Sequence, residues 1–222
     1  MKTTLYLGTD PSHFASQGYV QGNLIHYPVI KIIPRSLEHP ELVLAYADLE
    51  KYTHIIFTSK NAVAVFFEHH THKQVLDNTK IIAIGAVTAA HLKKREVHVN
   101  YTSEIESQEG LIFLLNRMHL DQAYFFLPRS SLARPELTEF FQEKKIRFLA
   151  ADLYDTVTQK TEPIPDLEQI DEIVFTSPSN VYAFIEIFGS LPKNKRLISI
   201  GPITEQSIQK HYSTIEGALS NV

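Results

Sequence analysis

The stretch Ile55-Ile56-Phe57-Thr58-Ser59 recurs later in the chain as Ile173-Val174-Phe175-Thr176-Ser177, 118 residues further on (175 − 57). The same offset also pairs apolar residues in the segment that follows, Val63 with Val181 and Phe66 with Phe184. Each copy reads as a buried strand that runs into a hydroxyl-bearing turn and then a helix. The chain is therefore predicted to contain two copies of one α/β unit.

A second repeated phrase supports the duplication. Ile84-Gly85-Ala86-Val87-Thr88 returns as Ile200-Gly201-Pro202-Ile203-Thr204, 116 residues further on (201 − 85). It also predicts a strand, a small turn and a helix. The first amides of such a helix have no partner within the helix, so they favour an anionic ligand.

The composition excludes several classes of protein. The chain has 222 residues and no cysteine, so disulfides, thiolate nucleophiles and Cys-ligated metal sites are absent. A formal net charge of −4 argues against nucleic acid as a partner. With no run of 18 apolar residues and no signal-peptide pattern, we expect a cytoplasmic protein that makes no use of a membrane.

Strand and helix patterns alternate throughout, which predicts the fold class: two doubly wound α/β domains of flavodoxin or Rossmann type, with mainly parallel sheets. In the middle of the chain we predict five strands, at residues 54–58, 80–85, 97–101, 123–127 and 146–153. Near the N-terminus one strand is predicted at 5–7 and another at 24–33.

The repeat also predicts the domain boundaries. Glu109-Gly110 matches Glu216-Gly217 at an offset of 107 (216 − 109), so the second copy lacks nine residues (116 − 107), about one strand. The N-terminal strands can complete that copy. We therefore predict a discontinuous domain of residues 1–33 and 157–222, an inserted domain of residues 36–152, and connectors at 34–35 and 153–156. Two crossings predict a hinge with a ligand cleft.

Several further phrases, in this order along the chain, resemble one family. They are Tyr27-Pro28-Val29-Ile30, the two repeated phrases, Leu127-Pro128-Arg129-Ser130-Ser131-Leu132-Ala133-Arg134-Pro135-Glu136-Leu137 and Leu153-Tyr154-Asp155-Thr156. Together they resemble the uroporphyrinogen-III synthase family. The resemblance implies two α/β domains joined by a two-stranded connector, and no metal or organic cofactor. It also implies a lyase reaction in haem biosynthesis: hydroxymethylbilane loses water, its terminal ring is inverted, and the macrocycle closes as uroporphyrinogen III. One departure from the family pattern is Gly8-Thr9, where related first strands often end in Thr-Arg.

The substrate implied by this resemblance is a flexible octa-acid, so the protein's main task is to orient it. Hydroxyls and amides at strand ends and helix starts can bind carboxylates in spite of the negative net charge. The predicted substrate-binding residues are Thr58, Ser59, Lys60, Gly85, Thr88, Arg129, Ser177, Ser179, Gly201 and Thr204. Each has a purely structural alternative: the hydroxyls can be N-caps, and the glycines tight turns. Arg129 and Arg134 are either carboxylate partners or solvated charges near Glu136 and Glu139.

Tyr154 is the predicted catalytic residue. It lies beside the second crossing between domains, and a phenol can donate a hydrogen bond to a departing hydroxyl without carrying charge. The alternative is an aromatic residue that only packs in the connector.

Two function classes stay open at this point, the cyclising enzyme and a non-catalytic two-domain module that binds an anionic small ligand. We expect a monomer. The run Glu68-His69-His70-Thr71-His72 has no carboxylate at catalytic spacing, so no metal site is predicted.

Overall fold

Strands alternate with helices in the computed structural model, which describes residues 1–16, 18, 22–69 and 76–219. This α/β architecture with parallel sheets confirms the predicted fold class. The chain divides into two compact units. We call residues 32–155 the central unit, and residues 1–31 with 156–222 the terminal unit.

The central unit contains most of a six-stranded sheet. Its elements are β3 (Ile30–Pro34), α2 (Pro40–Ala47), β4 (His54–Phe57), α3 (Lys60–His69), β5 (Lys80–Ala83), α4 (Ala86–Lys93), β6 (Tyr101–Thr102), α5 (Gln108–Leu115), β7 (Tyr124–Ser130), α6 (Glu136–Glu143) and β8 (Arg147–Thr158). The strand order is β3-β8-β7-β4-β5-β6, and β4 runs parallel to both β5 and β7. Both boundaries between the units fall within the neighbouring strands β3 and β8.

Strand β4 shows why this sheet is covered by helices on both faces. All four of its residues are buried. Ile55 and Phe57 pack in the apolar cluster on one face, and Ile56 packs in the cluster on the other face. Because successive side chains of a strand point to opposite faces, an all-apolar strand requires a core on each side.

The terminal unit has a four-stranded sheet built from both chain ends. Its elements are β1 (Lys2–Tyr6), α1 (Ser12–Ser16), β2 (Gly22–His26), β9 (Glu172–Phe175), α7 (Pro178–Phe188), β10 (Arg196–Ser199) and α8 (Pro202–Leu219). The order is β10-β9-β1-β2, with each of these pairs parallel. In the central unit β5-β4-β7-β8 repeats this order, and β6 has no counterpart in the described part of the terminal unit.

Two sequence-based strand predictions are wrong. Residues 97–100 form no strand, and β6 contains only Tyr101 and Thr102. The reason is that the chain is still ending α4 here: Glu96 has a positive φ of 59°, and the N–H of Val97 donates to the carbonyl of Leu92 at 3.1 Å. Asn100 then accepts from the N–H of Ile81 with its side chain, at 2.8 Å.

The single strand predicted at residues 24–33 is two strands that belong to different sheets, β2 and β3. Tyr27 and Val29 still donate to the carbonyls of Tyr6 and Leu7, at 3.0 and 3.3 Å. Pro28 lies between them and has no N–H to donate. The regular ladder therefore stops at His26 and begins again in the second sheet at Ile30.

Candidate active site

The predicted site residues of the central unit lie where neighbouring parallel strands end. Thr58 and Ser59 follow β4, Gly85 follows β5, and Arg129 lies near the end of β7. Ligands of open α/β sheets bind at this carboxyl edge, because the helix starts and loop side chains converge there. The sheet thus brings together residues that are far apart in sequence.

Tyr154 reaches across this edge from β8. Its hydroxyl lies 2.9 Å from the Oγ of Ser59, two strands away, and it forms a second hydrogen bond with the side chain of Ser130 at the end of β7. The side chain is buried, with 3% of its surface exposed, and it packs in the apolar cluster that includes Phe57. Tyr154 is thus a core residue whose polar end meets two serines.

A β-bulge aims Tyr154 at this position. Arg129 lies opposite Asp152 in the pairing of β7 with β8, but the next residue, Ser130, lies opposite Tyr154. Leu153 is the extra residue of the bulge. Since side chains alternate between faces, one extra residue changes which side chain stands beside Ser130.

Ser59 is held by the start of α3. The N–H of Ala62 donates to its Oγ at 3.0 Å, and the N–H of Val63 donates to its carbonyl at 3.3 Å. Ser59 is therefore a helix cap as well as a partner of the phenol. These two contacts give the hydroxyl one defined position.

Burial raises the pKa of Tyr154, and the hydrogen bonds from Ser59 and Ser130 act in the opposite direction. Removing the phenol proton inside the core would leave a charge with little solvation, which explains the direction of the net effect. The phenol thus keeps its proton at neutral pH. It can serve as a donor to a ligand oxygen.

Arg129 does not stand alone at the strand end. Its Nε donates to Oδ1 of Asp152 at 3.0 Å, and the guanidinium of Arg35 lies 3.6 Å from the other oxygen of that carboxylate. Arg35 also makes two hydrogen bonds to Asp155, at 3.0 and 2.8 Å, and these hold the pKa of the Asp155 carboxyl down at about 2. Two cations and two anions therefore form one network that joins β7 and β8 to the residue that follows β3.

The start of α4 already holds a carboxylate of the chain. Gly85 is the N-cap, and the N–H of Ala86 donates to Oε1 of Glu106 at 2.7 Å. A Cβ at Gly85 would collide with the Glu106 side chain, so glycine permits this close approach. The helix start that we predicted for a substrate carboxylate does bind a carboxylate, that of Glu106.

Thr88 and Thr204 are buried, with 4% and 3% of their surfaces exposed. Neither is the N-cap of its helix: Gly85 caps α4, and Gly201 directly precedes α8. Both threonines occupy the third helical position. The capping alternative raised from the sequence therefore does not apply to these two residues.

The start of α7 in the terminal unit is built differently from that of α3. Ser177 is the N-cap, but its side chain accepts no helix amide and lies 2.8 Å from the hydroxyl of Ser179. Asn180, which is fully buried, accepts from the N–H and the hydroxyl of Thr176, at 3.0 and 2.7 Å. At Gly201 a Cβ would meet nothing within 4 Å, so the start of α8 is open.

Three further residues considered from the sequence, Thr58, Lys60 and Arg134, also lie in the central unit. Thr58 lines a small pocket with Arg129 and Arg134, and Lys60 is a half-buried residue at the first position of α3. Arg134 pairs with both oxygens of Glu109, at 2.7 and 2.9 Å, and with Glu136 at 2.8 Å. Arg134 is thus tied to carboxylates of the chain.

The repeated topology explains the unusual end of the first strand. The registers align Phe125 with Thr4, because each lies opposite the same position of the repeated central strand. Four residues further on, Arg129 aligns with Gly8. A Cβ at Gly8 would lie 2.7 Å from the side chain of Thr176, so an arginine has no room there unless its neighbours move.

Three residues of the site were not predicted from the sequence: Ser130, Glu106 and Asp152. Ser130 follows Arg129 in the phrase that marks the end of a strand, and this position could have identified it as a site residue. Nothing in the sequence pairs Glu106 with Ala86, 20 residues earlier. Of the histidine run predicted not to bind metal, residues 70–72 lie outside the described residues, and no cluster of three His, Asp or Glu residues suited to a metal ion occurs in the described part.

No helix in the described ranges combines the length and apolar character that a membrane span requires.

The sequence matches one protein family over most of its length. The family model "Uroporphyrinogen-III synthase HemD" matches residues 17–215. The uroporphyrinogen-III synthase of Chlorobaculum parvum is 27% identical over 224 residues, which cover 95% of this chain and 89% of that protein. The porphyrin biosynthesis protein HemD of Ruminiclostridium josui is 25% identical over 197 residues, 84% of this chain but only 39% of that longer protein.

Solved structures show the same fold. The uroporphyrinogen-III synthetase of Helicobacter pylori matches with a TM-score of 0.63 at 20% identity, and covers 100% of both chains. A mutant uroporphyrinogen III synthase of Thermus thermophilus matches with a TM-score of 0.64 at 16% identity, over 96% of this chain and 90% of that one. The predicted family and enzyme class are confirmed, and a non-catalytic binding module is not favoured. Because the family model covers nearly the whole sequence, the chain belongs to the uroporphyrinogen-III synthase family.

Proposed function

We propose that the chain carries out the reaction of its family at the strand ends described above. In this reaction hydroxymethylbilane loses water, its terminal ring is inverted, and the macrocycle closes as uroporphyrinogen III. We further propose that the protein works as a monomer in the cytoplasm and needs no metal or organic cofactor. The family match supports the reaction class.

One observation carries the assignment of the chemistry: the hydroxyl of Tyr154, a residue within β8, meets Ser59 and Ser130 where β4 and β7 end. The phenol is protonated at neutral pH because burial raises its pKa. It can therefore donate to the hydroxyl group that leaves the substrate. A carboxylate in its place would repel the eight carboxylates of the substrate.

We propose that Tyr154 acts as the general acid for the loss of water. The O–H of Tyr154 gives its proton to the leaving hydroxyl as the carbon–oxygen bond breaks, and water departs. The electron pair of the neighbouring pyrrole nitrogen fills the vacated position, which produces an electrophilic azafulvene. The terminal-ring carbon that already carries the methylene bridge attacks, its bond to that bridge then breaks, and the bridge carbon rejoins the ring at the free α-carbon. That carbon loses its proton, and this proton restores the phenol. No proton is consumed overall.

The helix starts are proposed to bind and orient the substrate. We propose that Lys60 at the start of α3 and the open start of α8 at Gly201 take substrate carboxylates. Helix dipoles and unpaired amides favour such anions. Within the central unit the hydroxyl of Thr58 is a further proposed donor, and within the terminal unit those of Ser177 and Ser179 are. Thr88 and Thr204, which are buried in the first turns of α4 and α8, are proposed to support this role.

The test is to supply hydroxymethylbilane generated enzymatically and to separate the product isomers. Tyr154→Phe should lower turnover about 10- to 100-fold, because it removes the donor and keeps the ring. Since free hydroxymethylbilane closes without inversion, the uninverted isomer should accumulate. Tyr52→Phe, which removes a hydroxyl from a buried tyrosine of the same cluster before β4 begins, is the matched control. If the unmodified protein yields only the uninverted isomer, the proposed function is wrong.

A further inference from the structure

We infer that Asp152 is a positioning residue for substrate binding: it holds the guanidinium of Arg129 by its Nε, so that the two terminal nitrogens of Arg129 bind one carboxylate of the substrate. This inference rests on the proposed function, whose substrate has eight carboxylates. It gives Asp152 a task beyond the stability of the strand ends.

Thr58, Arg129 and Asp152 form a row across three neighbouring strands. Arg129 lies directly opposite Asp152 in the pairing of β7 with β8. The pairing of β4 with β7, continued three residues beyond Ile55 and Phe126, puts Thr58 beside Arg129, and these two residues line one pocket. Arg129 therefore has an anion on one side and a hydroxyl on the other.

The contact with Asp152 uses only one edge of the guanidinium. The Nε of Arg129 donates to Oδ1 of Asp152 at 3.0 Å, and among the described residues neither terminal nitrogen of Arg129 has a hydrogen-bond partner. Four of the five N–H donors of an arginine lie on those nitrogens, in a planar fork that suits two parallel bonds to one carboxylate. The side chain is 26% exposed, so a carboxylate can approach from solvent.

Arg129 is the arginine of this pocket that can take a new partner. Arg134 lines the same pocket, but its terminal nitrogens already donate to Glu109, at 2.7 and 2.9 Å, and to Glu136, at 2.8 Å. A carboxylate of the substrate would have to displace a carboxylate of the chain at Arg134. It displaces none at Arg129.

Arg35 reduces the repulsion that Asp152 exerts on an incoming anion. Its guanidinium lies 3.6 Å from the second oxygen of Asp152, so two cations share this carboxylate. Asp155 in turn binds Arg35 through two hydrogen bonds. The four side chains carry no net charge together. Binding of a carboxylate must therefore depend on the direction of the Arg129 donors, which Asp152 sets, rather than on an excess of positive charge.

The test compares Asp152→Ala with Asp152→Asn in steady-state kinetics with hydroxymethylbilane. Asparagine keeps an oxygen acceptor for the Nε of Arg129 but carries no charge, whereas alanine removes the acceptor. We expect Asp152→Ala to raise KM about fivefold with kcat within about twofold, and Asp152→Asn to keep KM within about twofold. If Asp152 acted only through its charge, both variants would lower KM, because a repulsive anion is gone.

Variants of Arg129 show whether Asp152 acts through the arginine. Arg129→Ala should raise KM about tenfold, and Arg129→Lys should recover little of that loss, because an ammonium keeps the charge but not the fork. In the Arg129→Ala background, Asp152→Ala should raise KM no further.

Asp155→Ala is the matched control. It removes the carboxylate that binds Arg35 and leaves the contact between Arg129 and Asp152 in place. It should lower stability while KM stays within about twofold. Urea unfolding of every variant separates a loss of stability from a change in KM, and Arg129→Lys still decides the matter if Asp152→Ala does not fold.

Three results would overturn the inference: a KM that falls or is unchanged in Asp152→Ala, an equal rise of KM in Asp152→Ala and Asp155→Ala, or full recovery of KM in Arg129→Lys. In each case the proposed function stands, provided that the unmodified protein forms uroporphyrinogen III. If the unmodified protein yields only the uninverted isomer, the proposed function and this inference are both wrong.

Discussion

Oε1 of Glu106 accepts a hydrogen bond from the N–H of Ala86 at 2.7 Å, so the first turn of α4 holds a carboxylate that belongs to the chain itself. Glu106 is an exposed residue of the loop between β6 and α5. A substrate with eight carboxylates that binds at this helix start must displace the Glu106 carboxylate. The same contact can thus be a structural cap or a competitor for the substrate.

Glu106→Ala distinguishes these two roles. If substrate carboxylates use the start of α4, removing the competitor should lower KM by about fivefold, the equivalent of a cap hydrogen bond of roughly 1 kcal/mol. Steady-state kinetics with hydroxymethylbilane measures it. Glu104→Ala, another exposed carboxylate of the same loop, is the control. An unchanged KM together with lower stability would identify Glu106 as a cap only.

The ion-pair network predicts an order of stabilities. Asp152→Ala should destabilise the protein by about 1 kcal/mol more than Arg129→Ala, because it leaves the guanidiniums of Arg129 and Arg35 without their shared anion. After Arg129→Ala, Asp152 still faces Arg35. Urea unfolding measures the free energy of unfolding of both variants. Added salt should reduce the difference between the two variants, since all three side chains are about a quarter exposed. The reverse order would mean that the network does not act as a unit.

His54 predicts a loss of stability in acid. It is 5% exposed, stacks on Phe125, and has its pKa lowered from 6.5 to about 4, first by burial and then by the charge of Lys80. The lowered pKa means that the folded state resists protonation. Stability is therefore complete above pH 6.5 and is lost as the pH falls towards 4, by about 3 kcal/mol at pH 4.

His54→Leu should remove this part of the acid sensitivity, because the leucine cannot be protonated. The measurement is the free energy of unfolding in urea at pH 7 and at pH 4, for both proteins. His119→Gln, at an exposed histidine, is the control. A pH dependence that is the same in His54→Leu as in the unmodified protein would contradict the prediction.

The central unit supplies a prediction about independent folding. Residues 32–155 contain both of its apolar clusters, and they include Tyr154 and the pair of Arg35 with Asp155. A fragment of residues 32–155 should unfold cooperatively and be more stable than residues 36–152, which lack β3, Arg35 and the buried Tyr154. Circular dichroism in urea measures both. Equal stabilities would mean that β3 and the end of β8 contribute little.

Much of the fold could be predicted from the sequence, because the signals are local. The apolar run at β4 and its copy at β9 predicted buried parallel strands, and these strands are observed. The failures have local causes too. The segment before Tyr101 looked like a strand by composition, but the N–H of Val97 is used by the end of α4, which composition cannot show.

What the sequence by itself determined is the duplicated α/β design and the family, since both follow from repeated phrases whose order and apolar periodicity are written along the chain. Only the tertiary structure decided which polar groups meet. Tyr154 and Ser59 are 95 residues apart, and their contact depends on the order of three strands and on one bulge residue, Leu153. Glu106 and Asp152 likewise gained their partners Ala86 and Arg129 through the fold. Hydrogen bonds require distances near 3 Å and defined directions, and those are set by packing rather than by residue type.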